Sequence, residues 1–212
     1  SKRVNLNQSG YYDSRPKWVN GGKQMIWFSN RDGLKSYATS GRSEQDVYSM
    51  SFTQEAWDNA NLSDEEFKLT KAIKEAQKKE KEGDKKASDK TDEEKKAEAK
   101  KKAEEKKKEA AKKLTFDWNN LDERTKRLTI HSSRLGDAVL SKDGEKLYYL
   151  ATFEKGANLW STNLRTKETK MEMKIGSGGR LEWDKEQKNL YLLSGGSISK
   201  IDVAKKKKTP VK

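Results

Sequence analysis

One phrase occurs three times in this chain, and its spacing restricts the fold more than any other feature of the 212 residues. The copies read WVNGGKQMIWFS from Trp18, LSKDGEKLYYLA from Leu140 and WDKEQKNLYLLS from Trp183. Each is a large apolar residue, a polar turn, a polar lead-in, four apolar residues and a small one. The turns are Asn20-Gly21-Gly22, Lys142-Asp143-Gly144 and Lys185-Glu186-Gln187, and the first two supply Gly or Asp-Gly where a tight hairpin wants positive φ. The unbroken apolar run after each turn suits a strand covered on both faces. The last two copies begin about 43 residues apart, the period of one β-propeller blade.

The first two copies are about 79 residues further apart than that period allows, which places an insertion inside one blade. Residues 4–6 read as the last strand of a preceding blade. Residues 25–28, 35–39 and 45–52 continue as a meander, clearest at Asp46-Val47-Tyr48. Strand chemistry then stops. Ser63-Asp-Glu-Glu66 and Thr91-Asp-Glu-Glu94 are capping boxes, the first flanked by Leu62 and Phe67 as a hydrophobic staple. They predict a helical hairpin or arm, broken at Gly83-Asp84 and rich in Lys, Glu and Ala. Strands resume after Leu114, with residues 127–130 closing the first blade. The expected class is therefore mainly β: a partial β-propeller of about three four-stranded blades with a long charged α-helical hairpin insertion. The divisions are 1–53 (the end of a preceding blade plus three strands of blade one), 54–113 (the insertion) and 114–212 (the closing strand and two further blades). Ser1 enters mid-repeat, so the chain is expected to be part of something longer.

Composition narrows the function. Cysteine is absent, which removes disulfides, thiolate metal sites and a Cys nucleophile. No apolar run is long enough to span a membrane. The net charge of +13 invites a nucleic-acid reading. Its distribution opposes one, because lysines in residues 63–113 are largely balanced by acids and the aromatics fall in strands rather than on one basic face. His131 is the only histidine, and its neighbours Ser132 and Ser133 point to opposite faces of an extended strand, so no triad is assigned. Gly176-Ser-Gly-Gly179 lacks the last Gly of a nucleophile elbow and reads as a loop. Asp32, Asp143 and Asp184 sit in turns, where Asp commonly bonds its own backbone. No catalytic, cofactor-binding or metal-ligating residue is assigned. Trp57, Phe67 and Trp118 are the expected anchors of the arm. Trp18, Trp27, Leu140, Tyr149, Trp160 and Trp183 are the expected blade-core positions.

Several local phrases carry a family resemblance. Ser29-Asn-Arg-Asp-Gly33 followed by Asp46-Val-Tyr48, and again Asn158-Leu-Trp160, resembles the TolB/WD40-like propeller repeat. FTQEAW from Phe52, DWNNLDER from Asp117 and RLTIHSS from Arg127 are similar to the propeller region of tricorn-type, tail-specific serine peptidases of Bacteroidetes. The resemblance implies a large exported enzyme of the Gram-negative periplasm or cell surface. In it the propeller filters or guides peptide substrates ahead of PDZ and serine peptidase domains whose motifs do not occur here. The partners implied are those domains, the remaining blades, a peptide or protein substrate, and a possible second copy of the chain. A rival reading is a stand-alone propeller that binds a protein or glycan, with the arm mediating assembly.

Overall fold

The structure, a computed structural model, describes residues 3–36, 43–83, 114–153 and 156–211. Contacts group the chain into two compact units, Ser1–Asn61 with Phe116–Lys212 and Leu62–Thr115. The first unit carries three four-stranded antiparallel sheets, the blades of a partial β-propeller. Blade one runs β1 (Asp13–Val19), β2 (Gln24–Ser29), β3 (Asp46–Ser51) and β4 (Thr125–Arg127). Blade two runs β5 (Arg134–Leu140), β6 (Lys146–Thr152), β7 (Asn158–Asn163) and β8 (Thr169–Lys174). Blade three runs β9 (Arg180–Trp183), β10 (Leu190–Ser194), β11 (Ser197–Asp202) and β12 (Lys207–Pro210).

The repeated phrase is a hairpin in all three copies. Trp18 lies opposite Met25, Leu140 opposite Leu147 and Trp183 opposite Leu190. Positive φ falls inside each turn, at Asn20, Gly21 and Gly22, at Gly144 and at Gln187. The third turn has no glycine and is stitched by a side chain instead. Asp184 accepts the Lys188 N–H at 2.6 Å and the Asn189 N–H at 3.2 Å. Desolvation works against the charged Asp184 carboxylate, but these bonds from Asn189 and Lys188 and the Lys188 charge outweigh it and hold its pKa below the usual value.

The apolar run in β6 has the expected origin. Leu147, Tyr149 and Ala151 pack toward blade one with Ile26, Phe28 and Val47, whereas Leu150 packs toward blade three with Leu181, Leu190 and Leu192. Successive side chains point to opposite faces, and blade two has a neighbour on both.

Two expectations are corrected. Residues 4–6 form no strand: an extended segment needs a partner for its N–H and C=O groups, and among the described residues none lies beside it, so Leu6 packs instead on Trp27, Tyr48 and Met50 of blade one. The closing strand of blade one is Thr125–Arg127, ahead of the expected 127–130. It stops because the chain turns inward to satisfy a buried carboxylate. Asp46, fully buried, accepts Arg127 Nε at 2.9 Å, Thr129 Oγ1 at 2.6 Å and Ser132 Oγ at 2.7 Å. In blade two Asn158 holds the same place, accepting the Ile175 N–H at 3.2 Å after the outer strand. Of residues 35–39, Lys35 forms an isolated bridge to Ser43, and the rest lies outside the described residues.

The insertion leaves blade one after β3 and returns beside its own exit. The Asp117 N–H bonds the Phe52 carbonyl at 2.8 Å. Arg124, buried, donates to Ser51 O, to Asp117 O at 2.6 Å and to the Asp117 carboxylate at 3.3 Å. These residues end the DWNNLDER block, so the segment most specific in sequence is the seam that closes the blade. Helix α1 (Gln54–Asn61) belongs with the sheets rather than with the separate unit. Helix α2 (Asp64–Gly83) belongs to the second unit and opens on the expected capping box: the Ser63 N–H donates to Glu66 at 2.8 Å and Ser63 Oγ accepts the Glu66 N–H at 3.3 Å. The Ser63 N–H bond first, and then the Ser63 hydroxyl, which donates to the Glu66 carboxylate at 2.8 Å, hold the Glu66 pKa low. The second capping box, at Thr91, lies outside the described residues.

At the end of α1, Arg165 donates to the Asn59 carbonyl at 3.1 Å, and Lys126 Nζ donates to Ala60 O at 2.6 Å while lying 5.6 Å over the Trp57 ring. Cations suit the free carbonyls of a helix C-terminus. Burial, with Lys167 and Arg165 nearby, nevertheless lowers the Lys126 pKa from 10.5 to about 8.

Two outcomes follow. Asp46→Ala should destabilise the chain by about 3–5 kcal/mol in urea unfolding, because it strands the partly buried Arg127 and two hydroxyls; a loss within the range of exposed substitutions would refute the knot. For pH, the unfolded state binds the extra Lys126 proton between about 8 and 10.5, so stability rises with pH in that window. Burial raises the Tyr148 and Tyr149 pKa values, so stability falls again once unfolded tyrosines ionise above 10.0. The thermal midpoint should therefore climb above pH 8 and turn over near 10, and Lys126→Gln should flatten the climb.

Candidate functional site

The first strands of the three blades, β1, β5 and β9, converge, and one carboxylate joins them. Asp137 on β5, 3% exposed, accepts Lys17 Nζ of β1 at 2.7 Å and the Leu181 N–H of β9 at 2.7 Å. Lys17 completes the triangle with a 2.9 Å bond to Leu181 O. Arg15, bulged at positive φ, adds a bond to Gly136 O.

Above this junction the three strands open into a cavity of about 380 Å3, lined by Lys17–Asn20, Val139–Ser141 and Glu182–Lys185 with Gln187. These are the same positions of the three copies of the phrase. The volume is that of a small ligand pocket. The Trp183 indole N–H donates to Leu140 O at 2.6 Å, and Lys142 Nζ reaches Glu186 O at 3.4 Å, so blades two and three are tied at the rim. Ser141 is the hydroxyl of the lining, and it is occupied: it donates to Asp143 at 2.6 Å and accepts the Lys146 N–H at 2.9 Å. The charged residues of the lining, Lys17 and Lys185 with Glu182 and Asp184, are of both signs.

The blade-core expectations divide by neighbour. Leu140 and Tyr149 are buried, with the Tyr149 hydroxyl 3.1 Å from Thr162 Oγ1. Trp27 is buried, stacked on Tyr48 and bonded to Asp13 at 3.2 Å. Trp160 and Trp183 are half-buried, against Phe153 and Tyr148. Trp18 is not a core residue, being 57% exposed. In each blade this position faces the preceding blade, and among the described residues blade one has none; Trp18 covers Phe52, 5.1 Å away, with one side. Trp118 is likewise 57% exposed and stacks on Phe116. Trp57 is half-buried on α1, and Phe67 is half-buried on α2. The residues that secure the ends of the insertion are Phe52, Asp117 and Arg124, which tryptophan counting misses; the signal was the Asp117–Arg124 spacing inside DWNNLDER.

His131 lies exposed after β4, and Ser132 turns its hydroxyl onto Asp46. Of the turn aspartates, Asp143 and Asp184 bond local backbone, and Asp32 instead accepts the Tyr48 hydroxyl. No helix among the described residues is long and apolar enough to cross a membrane.

No family model and no curated protein matches the chain. Among solved structures it is similar to the tricorn protease, with TM-score 0.54 and 8% identity over 98% of this chain. It is also similar to TolB from Acinetobacter baumannii, with TM-score 0.49 and 11% identity over 97% of this chain. The chain spans 18% of the tricorn protease chain and 33% of the TolB chain. The architecture is that of a β-propeller, in an arrangement similar to that of the tricorn protease.

Proposed function

We propose that the chain is the propeller segment of an exported tricorn-like serine peptidase and acts as a scaffold and as a filter or guide for peptides. The observation that carries this reading is the cavity at the meeting point of β1, β5 and β9. Three copies of one phrase present their strand ends and turns to it, and its lining offers charges of both signs and an indole. Such a lining can hold an extended peptide by its backbone and side chains without choosing a single sequence. The segment itself carries no catalysis in this reading, which is supported by the Ser141 and Ser132 hydroxyls being engaged with Asp143 and Asp46.

The remaining features of the reading come from the sequence resemblance: a Bacteroidetes, PDZ-containing parent, exported to the Gram-negative periplasm or cell surface. The likeness to a protease of which this chain spans 18% is consistent with a larger parent. Two outward faces support further blades as partners. Trp18 and Trp118 are exposed on blade one, and Leu193 and Ile198, paired across β10 and β11, are exposed on blade three.

The test uses short labelled neutral peptides and fluorescence anisotropy with the 212-residue chain. Binding is expected, and Glu182→Trp, which fills the mouth from an exposed strand position, should weaken it about tenfold. Undiminished binding in that variant would remove the cavity from the reading, and hydrolysis of any peptide by the chain would overturn its non-catalytic role.

A further inference from the structure

A second cavity, of about 550 Å3, lies between blades two and three. Trp183 walls both cavities. Five lysines, Lys146, Lys170, Lys188, Lys200 and Lys206, surround it, brought together from β6, β8, the turn before β10, β11 and the turn before β12. Arginine is absent from the lining, and two carboxylates share it with the lysines: Glu172, and Asp202, which lies 4.0 Å from Lys205. Lys170 approaches Glu172 at 3.8 Å, and Glu172 is itself buried and accepts Ser161 Oγ at 2.7 Å. Lys146, Lys200 and Lys206 make no ion pair among the described residues.

Ammonium groups sharing one cavity lie within about a Debye length of each other, roughly 8 Å at physiological salt, so their fields add. Their mutual repulsion destabilises the fold, and a bound anion relieves it. The kind of cation indicates the kind of anion. Arginine forks bind one planar anionic group bidentately, whereas separate ammonium groups on flexible stems can each meet a different anionic group of a flexible chain, such as successive Asp and Glu carboxylates. The aromatic walls do not offer a sugar platform, because Tyr148 and Trp183 meet edge to face and the Trp183 N–H is already spent on Leu140 O.

We propose that this cavity binds an acidic peptide segment, its Asp and Glu side chains held by the lysines while the adjoining chain runs past Trp183 into the mouth. The proposal rests on the reading of the mouth as a peptide path and adds a substrate class to it.

Labelled hexaglutamate and a neutral Gly/Ser peptide of equal length are titrated into the full chain. Lys188→Glu with Lys200→Glu, both at exposed positions, should weaken hexaglutamate about tenfold and leave the neutral peptide unchanged. Lys71→Glu with Lys74→Glu, the same charge change on exposed positions of α2, should leave both unchanged. Equal weakening of hexaglutamate by the two pairs would overturn the site in favour of net charge alone, and the mouth could stand. Loss of neutral-peptide binding in Glu182→Trp with hexaglutamate retained supports the lysine cavity. If neutral peptides fail to bind while hexaglutamate binds and responds to the lysine pair, the cavity stands and the mouth reading fails. Tighter binding of a heparin hexasaccharide than of hexaglutamate would overturn the peptide assignment.

Discussion

Three sheets that share no hydrogen-bonded ladder are held in one arrangement by the Asp137 carboxylate. Between blades the links are side-chain packing, side-chain bonds to backbone groups and one isolated bridge, Gln45 with Ser133, at the lead-in to blade two. Apolar burial supplies most of the adhesion, about 25 cal/mol per Å2, but it is non-directional and tolerates sliding. The Asp137 bonds to Lys17 and to the Leu181 N–H do not tolerate it. A buried ion pair is weak as a source of stability, since desolvation offsets much of the attraction. Its contribution here is positional. It joins β1, β5 and β9 at the junction from which the mouth opens.

Asp46 does for blade one internally what Asp137 does between blades. It draws Arg127, Thr129 and Ser132 onto β3 across the insertion, and the closing strand shortens to allow this. The two aspartates share a logic: a carboxylate with little or no exposure is stabilised only by donors on every side, so the surrounding chain is organised by what it must supply.

The hairpins and blade boundaries were legible because the information is local: a turn with positive φ, then four apolar residues. The insertion was legible as a break in a period. Burial of the phrase's first residue was not. Trp18, Leu140 and Trp183 occupy one position of one motif, yet Trp18 is largely exposed and Leu140 is buried, since what covers each belongs to a different blade. Asp46 was read as part of a strand motif, but its partners lie 81 to 86 residues away, beyond the reach of any spacing rule. The lysine cavity was hidden for the same reason. Its members are scattered singly along blades two and three, where each reads as an ordinary exposed strand or turn residue. The short outer strand of blade one shows the reverse, local pattern yielding to a distant carboxylate.

The seam between Phe52 and Asp117 has a consequence for how such a chain can change. Two backbone bonds, Asp117 N–H to Phe52 O at 2.8 Å and Ser51 N–H to Arg124 O at 2.9 Å, clamped by the Arg124 side chain, bring the exit and return of the insertion together. Closing a flexible excursion costs little more as it lengthens, about 0.6 kcal/mol for each doubling. The blade is therefore nearly indifferent to what it carries there. The fold's demands thus fall on the two ends, and the length of the stretch between them adds little to the cost of closing the blade.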